Sequence, residues 1–119
     1  MTNFRTIDRS GLTRRLEREP PNNDDRSQGF ALVNVLGREQ FAKEHIPGST
    51  NIPEANIDTF EKRYARDKEI VVYCASPQCQ ASEKTARELA NRGFERVVDY
   101  SAGLSDWRSG GGQVEGSAA

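Results

Sequence analysis

The sequence predicts an α/β fold: a mostly parallel central β-sheet with helices on both faces. Three short apolar runs read as strands, Phe30-Ala31-Leu32-Val33-Asn34-Val35-Leu36, Ile70-Val71-Val72-Tyr73 and the weaker Val97-Val98-Asp99-Tyr100. Near-continuous apolar runs of this length suit strands buried on both sides. Helical segments separate them, over roughly 38–44, 57–64 and 83–92. Strands alternating with helices imply crossover connections, and these make parallel neighbours.

The elements follow in order. Residues 1–29 form a polar, Arg-rich arm with one amphipathic helix, packed on the domain. Ser10 is placed to cap that helix, and Leu12 and Leu16 share a face. Its Arg5, Arg9, Arg14, Arg15 and Arg18 form either a docking face or a solvated helix side. Glu19-Pro20-Pro21-Asn22-Asn23-Asp24-Asp25 then breaks regularity as an exposed loop. Residues 30–109 form the core. Its clearest helix has Ser82 as the cap, Ala86, Leu89 and Ala90 on one face, a Glu83–Arg87 pair and Gly93 as the stop. Gly48 and Gly103 mark backbone positions where a side chain does not fit, and Trp107 reads as core packing. From Gly110 to Ala119 the chain is small and polar, and it reads as a flexible tail.

Composition narrows the functions available. A formal charge of −1 gives no global field to hold nucleic acid or an anionic membrane. No apolar stretch approaches the length of a membrane span, and no signal-peptide pattern opens the chain. The expectation is a soluble, cytoplasmic protein.

Both cysteines fall in one short segment, Val71-Val72-Tyr73-Cys74-Ala75-Ser76-Pro77-Gln78-Cys79-Gln80-Ala81-Ser82. A nucleophile, a disulfide, half of a metal site and plain packing are all open readings. Cys74 sits where an α/β sheet places its working groups, beyond the carboxyl end of a strand and before a helix. Loop amides and a helix start favour an anion there and make a thiol ionise more readily. His45 is the only histidine, so two cysteines and one distant histidine fall short of a four-ligand metal site.

Three blocks then carry a resemblance. The first is Leu32-Val33-Asn34-Val35-Leu36, Phe41, and Glu44-His45-Ile46-Pro47-Gly48-Ser49-Thr50-Asn51-Ile52-Pro53. The second is Val71-Val72-Tyr73-Cys74 with a helix ending at Arg92-Gly93-Phe94. The third is Ser101-Ala102-Gly103-Leu104-Ser105-Asp106-Trp107. In this order they resemble a single rhodanese-like sulfurtransferase domain, whose habitual patterns are GHIPGAxNIP and GGxxxW. The resemblance runs from about Phe30 to Gly116.

It implies a catalytic Cys74 that takes sulfane sulfur from polysulfide, thiosulfate or a protein persulfide. The sulfur then passes to a thiol or cyanide, with neither cofactor nor metal. The loop Ala75, Ser76, Pro77, Gln78, Cys79, Gln80, Ala81 and Ser82 would bind the substrate, with Asn34, Arg38 and His45 in support. Implied partners are a small sulfur donor, a thiol acceptor, and a sulfur-carrier or redox protein, with no nucleic acid or membrane. His45 reads either as a brace for the Pro47-Gly48 turn or as a base.

The departures matter too. The family's usual Asp-Val-Arg is Asn34-Val35-Leu36 here, and the loop after Cys74 contains no cation. That suits polysulfide or a persulfide better than the dianion thiosulfate. Related phosphatases need Arg where Gln80 stands. A catalytically silent binding or redox-sensing module using the Cys74/Cys79 loop is the alternative. Cys79 is either a resolving thiol or an ordinary loop residue. The four residues between Cys74 and Cys79 are enough for the loop to curl back to disulfide distance, but Pro77 restricts the path, so closing the bridge would require the loop to move.

Overall fold

The computed structural model describes residues 4–117. Strand β1 (Arg5–Thr6) leads to α1 (Arg9–Arg18), and β2 (Phe30–Asn34) to α2 (Arg38–Lys43). Strand β3 (Thr50–Asn51) leads through a 3-10 turn, Glu54–Asn56, to α3 (Asp58–Arg63). Strand β4 (Glu69–Tyr73) leads to α4 (Ala81–Asn91), and β5 (Arg96–Tyr100) to α5 (Gly103–Ser109). Among the described residues the strands of the sheet pair in parallel, in the order β1-β5-β4-β2-β3. The α/β class read from the alternation is the one found.

Successive strand side chains point to opposite faces, so each run feeds two cores. Ala31, Val33, Ile70, Val72 and Val97 pack with Phe60 of α3 and Ala86 and Leu89 of α4. Leu32, Val71, Tyr73, Val98 and Tyr100 pack on the other side with Leu12 of α1 and Leu104 and Trp107 of α5. The central strand β4 is covered on both faces, which is why its sequence shows no polar alternation. A buried lysine closes the open side of the arm: Lys68 Nζ donates to Asn22 O at 2.7 Å and to Gln28 O at 2.6 Å.

Several expectations are corrected. Asp8, not Ser10, caps α1: its backbone is extended and its carboxylate accepts from the Gly11 amide at 2.8 Å. The arginines of α1 do not form one free face. Arg15 pairs with Glu19 and Glu69 and lies over the Phe30 ring, while Arg9 pairs with Asp106. These contacts tie the arm to the sheet, and β1 adds an edge strand to it. Strands β1 and β3 are two residues each, too short for periodicity to show.

Residues 110–117 do not form a loose tail. Trp107 Nε1 donates to Gln113 O at 2.8 Å, and Gly112 lies against the same ring. His45 and Glu115 exchange backbone hydrogen bonds of 2.9 Å, and the Ser117 amide reaches Ala42 O. Small residues here permit close approach rather than freedom. Among the described residues, no helix is long and apolar enough to cross a membrane.

Candidate active site

The site is built on β4, which lies between β5 and β2. Cys74 follows the last residue of that strand and is 1% exposed, within the core cluster that α4 covers. Its carbonyl accepts from the Leu104 amide at 2.8 Å, and the Ala75 carbonyl accepts from the Ser105 amide at 2.8 Å. The start of α5 therefore holds the base of the loop.

Gly103 makes that contact possible. Its φ is +75°, and a Cβ there would stand 2.7 Å from Cys74 O and 2.8 Å from Ser76 N. Only a residue without a side chain fits a left-handed backbone pressed against another chain segment. The reading of Gly103 as a backbone position holds, and its neighbour is the cysteine loop itself.

Cys74 and Cys79 are joined by a disulfide, with α-carbons 6.3 Å apart, inside the span such a bridge needs. The loop reaches this shape through a turn in which the Cys79 amide donates to Ser76 O at 3.0 Å. Pro77 occupies the second turn position, where its fixed φ is favourable. The expectation that Pro77 opposes closure is thus reversed: it pre-sets the turn that brings Cys79 back. Cys79 is partly buried and packs on the same cluster as Cys74.

Ala81 and Ser82 do not belong to the loop. Both lie in α4, whose start at Gln80 has no side-chain cap. Ser82 is buried inside α4 and does not cap it. The loop proper is Ala75 to Gln80. No Lys or Arg side chain bonds it among the described residues; Arg87 of α4 pairs with Glu83 at 2.7 Å.

The three supporting residues are dispersed. Asn34 is buried on β2 in register with Tyr73, and its Oδ1 accepts from the Leu36 amide at 2.9 Å. Its Nδ2 has no hydrogen-bond partner within the protein. Arg38 is exposed in the first turn of α2. His45 stacks on Phe41 with ring centroids 3.9 Å apart, and its Nδ1 lies 2.6 Å from Phe41 O. Its Nε2 faces Glu115 at 3.5 Å. Both ring nitrogens are thus engaged away from Cys74, as a brace for the α2 end and the tail.

Sequence reasoning missed Asp99. It is 1% exposed on β5, in register with Val72, and its Oδ1 has no partner within the protein. Burial pushes its carboxyl above the usual carboxylate range, opposed by the Ser82 hydrogen bond and reinforced by Glu83. The signal was an aspartate inside an otherwise apolar strand run. Among the described residues, no group of three or more His, Cys, Asp or Glu could hold a metal ion.

Known proteins share this fold. A family model described as "Rhodanese-like domain" matches residues 16–110. The thiosulfate sulfurtransferase GlpE of Pseudomonas savastanoi pv. phaseolicola is 32% identical over 84 residues, covering 71% of this chain and 77% of that protein. YrkF of Bacillus subtilis, named as a candidate sulfur carrier protein, is 29% identical over 83 residues. That match covers 70% of this chain but only 44% of YrkF. The crystal structure of the BH2092 protein from Bacillus halodurans superposes with a TM-score of 0.81 at 30% identity, covering 96% of this chain and 78% of that one.

Proposed function

The chain belongs to the rhodanese-like domain family, and from that membership we propose that its reduced form is a sulfurtransferase working through a persulfide on Cys74. The Cys74 thiolate attacks the outer sulfur of a polysulfide, thiosulfate or protein persulfide, and the donor remnant leaves. The product, Cys74–S–S⁻, is an anion. Loop amides and the uncapped start of α4 supply partial positive charge without reorganisation. A thiol or cyanide then attacks the outer sulfur and returns Cys74 to the thiolate. A sulfur-carrier or redox protein fits the role of partner.

One observation carries this reading: the cysteine ends the central strand, and the Gly103–Ser105 segment holds its backbone. The test is mass spectrometry of the reduced protein after mixing with polysulfide. A gain of one sulfur atom on Cys74, absent in Cys74→Ser, is expected. An unmodified native protein would overturn transfer in favour of a silent binding module.

A further inference from the structure

We propose that Cys79 is a second catalytic residue, which converts the Cys74 persulfide into free hydrosulfide and the Cys74–Cys79 disulfide. The domain then acts as a sulfide-releasing enzyme recharged by a dithiol reductant. This rests on the persulfide reading above and extends it to a different product.

The geometry supplies the step. The Ser76–Cys79 turn places the Cys79 α-carbon 6.3 Å from that of Cys74, and the two sulfurs are bonded. Both cysteines pack on one core cluster, so Cys79 reaches inward to the sulfur and not outward to solvent. The base of the loop is held by the Leu104 and Ser105 amides, which fixes the Cys74 end of the bridge. A tethered thiol competes with free thiols at an effective concentration of about millimolar or more, rising with orientation.

The chemistry balances. The Cys79 thiolate attacks Sγ of Cys74, the inner sulfur of the persulfide. A bond forms between the two Sγ atoms, and the bond from Cys74 Sγ to the outer sulfur breaks. The outer sulfur leaves as hydrosulfide with the bond's electron pair, reduced by two electrons while the two cysteines are oxidised to the disulfide. Because the persulfide is an anion, the proton lost by Cys79 ends on the departing outer sulfur, which therefore leaves as hydrosulfide. A protein or small-molecule dithiol then reduces the bridge by thiol–disulfide exchange and becomes a disulfide itself. A bridged Cys74 has no thiolate to offer, so the disulfide is the state between turnovers.

A single-turnover experiment tests this. Reduced, desalted protein is mixed with slightly less than one equivalent of glutathione persulfide, without added reductant. Sulfide is measured over time and the 74–79 peptide by mass. Native protein is expected to release sulfide in near-equal amount to the disulfide formed. Cys79→Ser and Cys79→Ala are expected to keep the extra sulfur on Cys74, with sulfide release slowed at least about tenfold. The proposal is overturned if native protein holds its persulfide as long as the Cys79 variants, even though all gain sulfur. If no form gains sulfur at Cys74, the transfer reading fails along with it. The native measurement stands whether or not a variant folds.

Discussion

The backbone amide of Leu104 donates to the carbonyl of Cys74 at 2.8 Å, joining the start of α5 to the end of β4. Two crossover units meet at that bond. The cysteine loop is therefore clamped by a neighbouring strand–helix junction rather than by its own helix alone. Gly103 is the residue that lets the two backbones approach.

Gly103→Ala places a Cβ 2.7 Å from Cys74 O on a backbone with φ +75°. The left-handed conformation costs about 1–2 kcal/mol for a residue with a side chain, and displacing the loop adds to it. We expect a loss of at least about 2 kcal/mol in urea unfolding, together with slower sulfur uptake by Cys74. Unchanged stability and uptake would remove the clamp from the account.

A loop free of Lys and Arg has only dipoles to offset the two charges of thiosulfate. The reduced domain is expected to turn over thiosulfate poorly beside polysulfide or an organic persulfide. Gln80 is exposed at the start of α4, and Gln80→Arg should raise kcat/KM for thiosulfate about tenfold, the worth of one charge-assisted hydrogen bond. A native preference for thiosulfate would mean that charge comes from elsewhere, and loss of that preference in Arg38→Ala would identify the source.

Asp99 gives a pH signature. Its carboxyl holds a proton to a higher pH in the folded chain than in the unfolded one. Below the ordinary carboxylate pKa both states are protonated and there is no cost. As pH rises past that value the unfolded state ionises first, so stability falls until the folded carboxyl also ionises. Asp99→Asn should therefore raise Tm at pH 7 more than at pH 3. A Tm difference independent of pH would show that Asp99 does not titrate with folding.

Residues 110–117 are held by the Trp107–Gln113 bond, the two His45–Glu115 backbone bonds and the Ser117–Ala42 bond. At about 0.5–1.5 kcal/mol each, removing residues 110–119 should cost about 2–6 kcal/mol in urea unfolding. A truncated chain as stable as the full one would return these residues to the status of a loose tail.

The α/β class, the central strands, α4 and the position of Cys74 were legible because they rest on local pattern. Apolar β-forming runs, helical spacing and a cysteine at a strand end are carried by neighbouring residues. Long-range packing left weaker marks. Asp8 competed with Ser10 for one cap, and only the backbone path chose between them. Ser82 had the right residue type for a cap, yet it lies buried within the first turn of α4. The glycines of the tail suggested freedom, whereas Gly112 lies against the Trp107 ring and Gly116 against the Lys43 backbone.

By itself the sequence determined the layers of the fold, the strand end that carries the cysteine, and the uncharged loop that follows it. Tertiary structure decided that Gly103 to Ser105 would clamp that loop, that His45 would face Phe41 and Glu115, and that Pro77 would turn Cys79 onto Cys74. The physical reason is sequence distance. A pattern of apolar residues acts within one element, while a hydrogen bond from Leu104 to Cys74 exists only once β5 has been laid beside β4.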